Sequence, residues 1–316
     1  MTGVVSGVVA RTASGAIARF WDGDVAYGFR RSPVAIGSAL VLLVLVAGAM
    51  LAAWIAPYDP FDLASLNLMD GDQPPAWAEA GTRAHLIGTD NQGRDMLSAI
   101  MHGTRISLVV GASAVLFAVV VGVLAGLLAG YAGGATDAVL MRLADVQLSF
   151  PAILIALLVD GVVTAALPRD LHEALQIYVV IFAIGISFWP QFARTVRGST
   201  MVEQGKEYVM AARVIGLSSP RIMLTHILPN VLGPVLVVGT LTLGLAVVTE
   251  ATLSFLGVGL PADKLSLGTL IRVGQNFLSN GEWWIAVFPG VALVLMVLSI
   301  NLLGDWLRDA LNPRLR

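Results

Sequence analysis

Five stretches of this chain run without one Asp, Glu, Lys or Arg: Ser32–Tyr58, Ile106–Thr136, Ala174–Ala193, Ile222–Thr249 and Trp283–Gly304. About 20 mostly apolar residues suffice for a helix to cross the hydrocarbon of a bilayer. In lipid each backbone N–H and C=O must be satisfied inside its own segment, so each stretch predicts a helix. A sixth is weaker. Val146–Val159 is charge-free until Asp160, and it reaches spanning length only when extended back over Val139–Ala144 and on to Leu167. Arg142 and Asp145 then fall at one interface and Asp160 near the other. The pattern predicts an all-α, polytopic membrane protein with six transmembrane helices. Composition agrees: 13% of residues are charged, against about 25% in soluble domains.

Ser32–Tyr58 exceeds the ~7–15-residue apolar core of a signal peptide, so it reads as a retained span. Direction follows from Lys and Arg, which favour the cytoplasmic side. With the N-terminus inside, 13 of the 19 fall in inner segments, which predicts both termini in the cytoplasm. The expected layout is a cytoplasmic tail 1–32, a first span 33–56 and a periplasmic segment 57–104. A membrane domain 105–304 follows, holding a cytoplasmic loop 197–229, and then a tail 305–316. Tyr58-Asp59-Pro60 and Gln73-Pro74-Pro75 mark turns in the outer segment.

Several chemistries are disfavoured. Cysteine is absent, which removes disulfides, thiolate metal sites and a cysteine nucleophile. His85, His102, His172 and His226 are scattered without metal-ligand spacing. Gly257-x-Gly259 is too short for a dinucleotide fingerprint. No Lys/Arg-rich patch points to nucleic acid. The phosphate-cradling pattern G-x-x-x-x-G-K-[ST] is missing, since Gly205-Lys206 is followed by Glu207.

Glu207–Asn230 is a polar, helix-forming island between two apolar runs. Lys206–Ile215 predicts a helix rich in good formers, ended by Gly216 in the left-handed position. Ser219 as N-cap and Pro220 at the first helical position predict a second helix, with Pro229 opening the next span. Tyr208, Ala211, Ala212 and Ile215 share one face at spacings of three and four. Such a helix can lie in a partner's groove; equally, it can rest on the membrane surface.

The same stretch resembles the EAA loop of importer-type ABC permeases. Met210-Ala211-Ala212, Gly216 and His226-Ile227-Leu228-Pro229 follow its spacing. Met210 and His226 depart from the general pattern; with Glu207-Tyr208 and Asn230 they look like the dipeptide/oligopeptide/nickel branch. Further stretches are similar to that branch: Ala56–Pro60, His85–Asp95, Leu253–Gly257, Asn301–Asp305 and Leu307–Leu311. The Pro74–Trp77 insert and overall pattern look most like its C-type dipeptide permease subunits.

The resemblance implies a type I ABC importer permease fold in a bacterial inner membrane. It implies a second homologous permease, two ATP-binding subunits that hold ATP and Mg, and a periplasmic or lipid-anchored substrate-binding protein. No cofactor is expected on this chain, and no enzymatic activity. Glu207, Tyr208, Ala211, Ala212, Ile215, Gly216 and Pro229 would couple to the ATPase. Di- or oligopeptides are the expected cargo, with nickel or another small solute as the alternative. A membrane-embedded enzyme or a passive channel would be a different class: the first needs acids, histidines or a nucleophile within the spans, and the second needs no coupling helix.

Other residues carry two readings. Glu250, near the outer end of the fifth span, could face the translocation pathway or pair with an arginine at the interface. Asp90, Arg94 and Asp95 could gate or dock the binding protein, or form a salt-bridged turn anchoring the outer segment, the reading preferred here. Pro151 and Pro190 predict helix starts or bends. Gly122, Gly126 and Gly130 predict close helix packing, and Trp283 and Trp284 interface anchors.

Overall fold

A computed structural model describes residues 24–62, 68–260 and 264–311. The expectations for the first 23 residues and the last five lie outside them. Twelve α-helices occur among the described residues, together with short 3-10 turns and one π turn. The first three are α1 (Asp24–Arg31), α2 (Pro33–Met50) and α3 (Ala52–Ile55). Ser32 caps α2, its hydroxyl accepting from the Ala35 N–H at 3.2 Å, with Pro33 following at a position that needs no N–H bond. The first apolar stretch is therefore not one helix to Ala56; it breaks at Leu51.

Next come α4 (Met96–Ala132), α5 (Gly134–Leu148), α6 (Ala152–Ala166) and α7 (Arg169–Glu203). The remaining helices are α8 (Glu207–Val214), α9 (Ser219–Ile222), α10 (Leu228–Phe255), α11 (Leu267–Gln275) and α12 (Trp284–Leu311). Among the described residues, five helices are long and apolar enough to cross a membrane, and six spans result if the bent pair α5–α6 counts as one.

That pair corrects the third span. Val139–Leu167 is not a straight rod; its halves meet at 94° across Ser149–Pro151, where Pro151 opens α6. A second correction concerns α4. Asp95 caps it, accepting from the Ser98 N–H at 2.9 Å, so the helix starts at Met96 and the outer segment ends ten residues earlier than charge alone suggests.

The centre of the bundle is α4 against α7. Gly122, Gly126 and Gly130 let the backbones close up: a Cβ on Gly122 would sit 2.4 Å from Phe192 Cβ, and one on Gly126 would sit 2.6 Å from the Ala193 carbonyl. A main apolar core follows, with Val110, Leu127, Ile184, Phe192 and Ile227 buried in it. Pro190 lies inside α7 without ending it. Its missing N–H leaves the Ile186 carbonyl without its helical donor, and the Gln147 side-chain amide donates there instead. The same amide accepts from Trp189 Nε1 at 2.7 Å.

Residues 68–95 fold on themselves and on α12. Thr89 exchanges bonds with Gln73, and Trp284 Nε1 donates to the Thr89 carbonyl at 3.0 Å. Trp284 is buried, so it anchors this segment rather than lipid headgroups; Trp283 is the exposed one. At the opposite end Phe29 of α1 meets Trp306 of α12 edge to face, 5.1 Å between ring centroids. The two described ends of the chain therefore lie together.

Candidate functional site

Helix α8 stands between two long spans, held by few of its own side chains. Val209 and Ala212 are buried, and the rest of the helix is exposed, with Val214 86% and Ile215 74% accessible. Large apolar groups so exposed are available to a partner surface or to the membrane surface. Here the structure corrects the proposed face. Tyr208, Ala211 and Ile215 are exposed, but Ala212 turns inward and joins Val209 in the main core. Its small side chain permits close approach to the chain's own bundle. Glu207 and Met210 are exposed with the outer face.

Gly216 ends α8 with φ at +81°, a conformation that favours glycine. The Gly216 N–H donates to the Arg213 carbonyl at 3.0 Å and the Leu217 N–H to that of Ala212 at 3.1 Å. These two bonds form a Schellman cap, and Leu217 packs on the core as that motif favours. The cap of α9 is Ser218, one residue before the expected Ser219. A π turn, Met223–Ile227, then leads into α10, with Pro229 in its first turn. The loop is shorter than 197–229, because α7 runs on to Glu203.

Polar contacts fix the root of α8. Glu203, nearly buried at the end of α7, accepts from Lys206 Nζ at 2.6 Å and from the Tyr208 hydroxyl. Asn230 Nδ2 donates to the Tyr208 oxygen at 3.2 Å and to the His226 carbonyl at 2.8 Å. Partial burial and the Glu203 carboxylate push the Tyr208 hydroxyl up to about 12. Arg213 lies over the Tyr131 ring at 5.0 Å. Glu203 is not among the residues singled out from the sequence, and Asn230 enters there only through the family resemblance, since neither falls on the Tyr208–Ile215 face.

Just before α4, Asp90, Arg94 and Asp95 are engaged within one turn. Asp90 Oδ1 accepts from the N–H groups of Gln92 and Arg94 at 2.8 and 2.9 Å. Burial still pushes the Asp90 carboxyl up, against those two bonds and the Arg94 charge. Asp95 accepts from Ser98 and meets His85 Nδ1 at 3.1 Å, both groups buried. Asp95 and His85 also line a cavity of about 260 Å³ with Tyr58, Asp59, Asp70 and Gln73.

Glu250 is fully buried, which corrects the interfacial, arginine-paired reading. Ser254 Oγ donates to Glu250 Oε1 at 2.7 Å, and the hydroxyls of Ser107 and Ser266 lie close by. Among the described residues no cation pairs with it. It sits where α4, α10 and the start of α11 converge.

Residues 122–316 match the family described as binding-protein-dependent transport system inner membrane component. Residues 19–75 match the N-terminal TM domain of oligopeptide transport permease C. The di/tripeptide transport system permease protein DppC of Pseudomonas aeruginosa is 35% identical over 94% of this chain and 92% of its own length. The dipeptide transport system permease protein DppC of Escherichia coli is 38% identical, with 91% of each covered. A putative peptide transport system permease protein of Brucella suis is 40% identical over 91% of this chain and 90% of its own length. An inward-facing structure of the MetNI methionine ABC transporter aligns with TM-score 0.54 at 20% identity, covering 69% of this chain and 98% of that one. The last likeness concerns the fold alone.

Proposed function

The chain belongs to the family of binding-protein-dependent transport system inner membrane components, and we propose that it is the permease half of an ATP-driven importer of di- and oligopeptides. It is a multi-pass membrane protein and a transport component rather than an enzyme; the ATPase activity lies in partner subunits. We place it in the bacterial inner membrane, with both tails and α8 in the cytoplasm and residues 56–95 in the periplasm. It pairs with a second homologous permease, engages the pair of ATP-hydrolysing subunits through α8 and its counterpart on that partner, and receives cargo from a substrate-binding protein outside.

One observation carries the reading: α8 displays Met210, Val214 and Ile215 to solvent while its cap at Gly216 and its root at Glu203 hold it rigidly. A surface of that kind transmits force from a partner that grips it. ATP closing the ATPase pair displaces α8, the attached spans turn, and the pathway opens toward the binding protein. Hydrolysis resets it. Glu250 then serves the pathway indirectly, buried where α11 meets α4 and α10.

The test is uptake by the complete complex in proteoliposomes with the binding protein present. ATP-dependent accumulation of a radiolabelled dipeptide is expected. Uptake without ATP would make this a channel component, and accumulation of nickel instead of peptide would change the cargo.

A further inference from the structure

We infer that Glu203 and Asn230 are positioning residues for ATPase coupling, joined through the Tyr208 hydroxyl so that one displacement of α8 reaches α7 and α10 together. The inference rests on the reading of α8 as the ATPase contact.

An eight-residue helix is marginal by itself, and α8 lacks a side-chain cap at its start, where Lys206 makes no such bond. Its root is fixed instead by Tyr208. That hydroxyl donates to Glu203, the final residue of α7, and accepts from Asn230 in the first turn of α10. Glu203 is held in place by its second oxygen, which accepts from Lys206. Asn230 is held by its other bond, to the His226 carbonyl at the π turn. A π turn interrupts the regular helical ladder, and such turns recur at functional sites. One phenolic oxygen is therefore the node between the end of one span and the beginning of the next. Hydrogen bonds to charged groups are short and directional, so α8 cannot shift without moving both ends or breaking the node. Burial and the Glu203 carboxylate push the hydroxyl up to about 12, so it remains a donor at physiological pH.

The experiment uses the full complex in proteoliposomes, with dipeptide transported per ATP hydrolysed as the readout and complex recovery by size exclusion as the control. Tyr208→Phe removes one oxygen, and the ratio is expected to fall about tenfold, the order set by one charge-assisted hydrogen bond. Glu203→Ala should match it. The double variant should be no worse than either, because both act at one node. Glu203→Gln keeps an acceptor oxygen and should restore at least half of the ratio. If Glu203→Ala does not assemble, Tyr208→Phe with Asn230→Ala carries the same comparison. Ratios within twofold of wild type for Tyr208→Phe and Glu203→Ala, or additive losses in their combination, overturn the inference. A wild-type complex with no ATP-dependent uptake instead overturns the underlying function, a distinguishable failure.

Discussion

Arg197 on α7 grips Asp137 on α5 with two parallel bonds, from Nε to one carboxylate oxygen and from Nη2 to the other at 2.6 Å. Helix α5 buries only Ala144, so polar links hold much of it to the bundle; Arg194 pairs with Asp145 in the next turns. Arg197→Lys keeps the charge but loses the fork. Both partners are partly exposed, so the loss should be about 1 kcal/mol or less. It should show as faster amide exchange confined to α5 in the assembled complex. Unchanged exchange there would mean that packing alone holds the helix.

Gln147→Leu should cost about 1–3 kcal/mol, because the Ile186 carbonyl beneath Pro190 loses its donor. Adding Pro190→Ala restores a helical N–H and should recover the carbonyl's share of that loss, while Trp189 Nε1 stays without its acceptor. Thermal unfolding of the two variants and their combination decides it. A combination less stable than Gln147→Leu would refute the account.

Gly126→Val should destabilise by about 1–3 kcal/mol through overpacking, since a Cβ there would lie 2.6 Å from a carbonyl oxygen and 2.7 Å from Val196 Cβ. Gly161→Ala meets open space on a helix and should be neutral or stabilise by about 0.5–1 kcal/mol. The same unfolding measurement serves for both. Equal effects would show that the α4–α7 contact is looser than its geometry.

Substitutions at Gly216 should rank by tolerance of the left-handed region, Asn mildest, then Ala, then Val. The ranking should appear in binding-protein-stimulated ATPase activity of the complex. No neighbour lies within 4 Å of an added Cβ, so backbone strain is the cause tested. A ranking by side-chain size instead would contradict it.

Glu282 gives a pH dependence. Burial and the facing Asp72 carboxylate push its carboxyl above the ordinary 4.5. The folded state therefore binds a proton more tightly than the unfolded one. The stabilisation is complete below 4.5 and fades as pH rises through the raised value. Asp90, also pushed up, acts in the same direction. The outer segment should be better protected from exchange at pH 5 than at pH 8, after correction for intrinsic rates. Glu282→Gln should flatten most of that difference; a wild-type segment equally protected at both would rule it out.

How much of this was readable beforehand differs by residue. Charge-free runs located the long helices, because the cost of a charge in lipid belongs to the residue itself and needs no neighbour. Gly216 was readable for a similar reason: a positive φ is a local backbone demand. Helix ends were less so. Met96 starts α4 well before Ile106 because Asp95 caps it, and polar starts of membrane helices carry no hydropathy signal.

The side chosen by Ala212 was not readable. Spacing fixes its direction relative to Tyr208, but not which direction meets the bundle. Glu250 is the sharper case: Ser254 on its own helix bonds to it, but only the fold brings Ser107, far away in the chain, close to it. Likewise Glu203 and Asn230 meet only because α7 and α10 return to one place. The sequence determined that this chain is a helical membrane protein with a polar loop fit to hold a partner, because length, apolarity and turn chemistry are local quantities. Only the tertiary structure decided which side chains face in, which polar groups find each other and how α8 is fastened, because those contacts join residues whose proximity no spacing along the chain encodes.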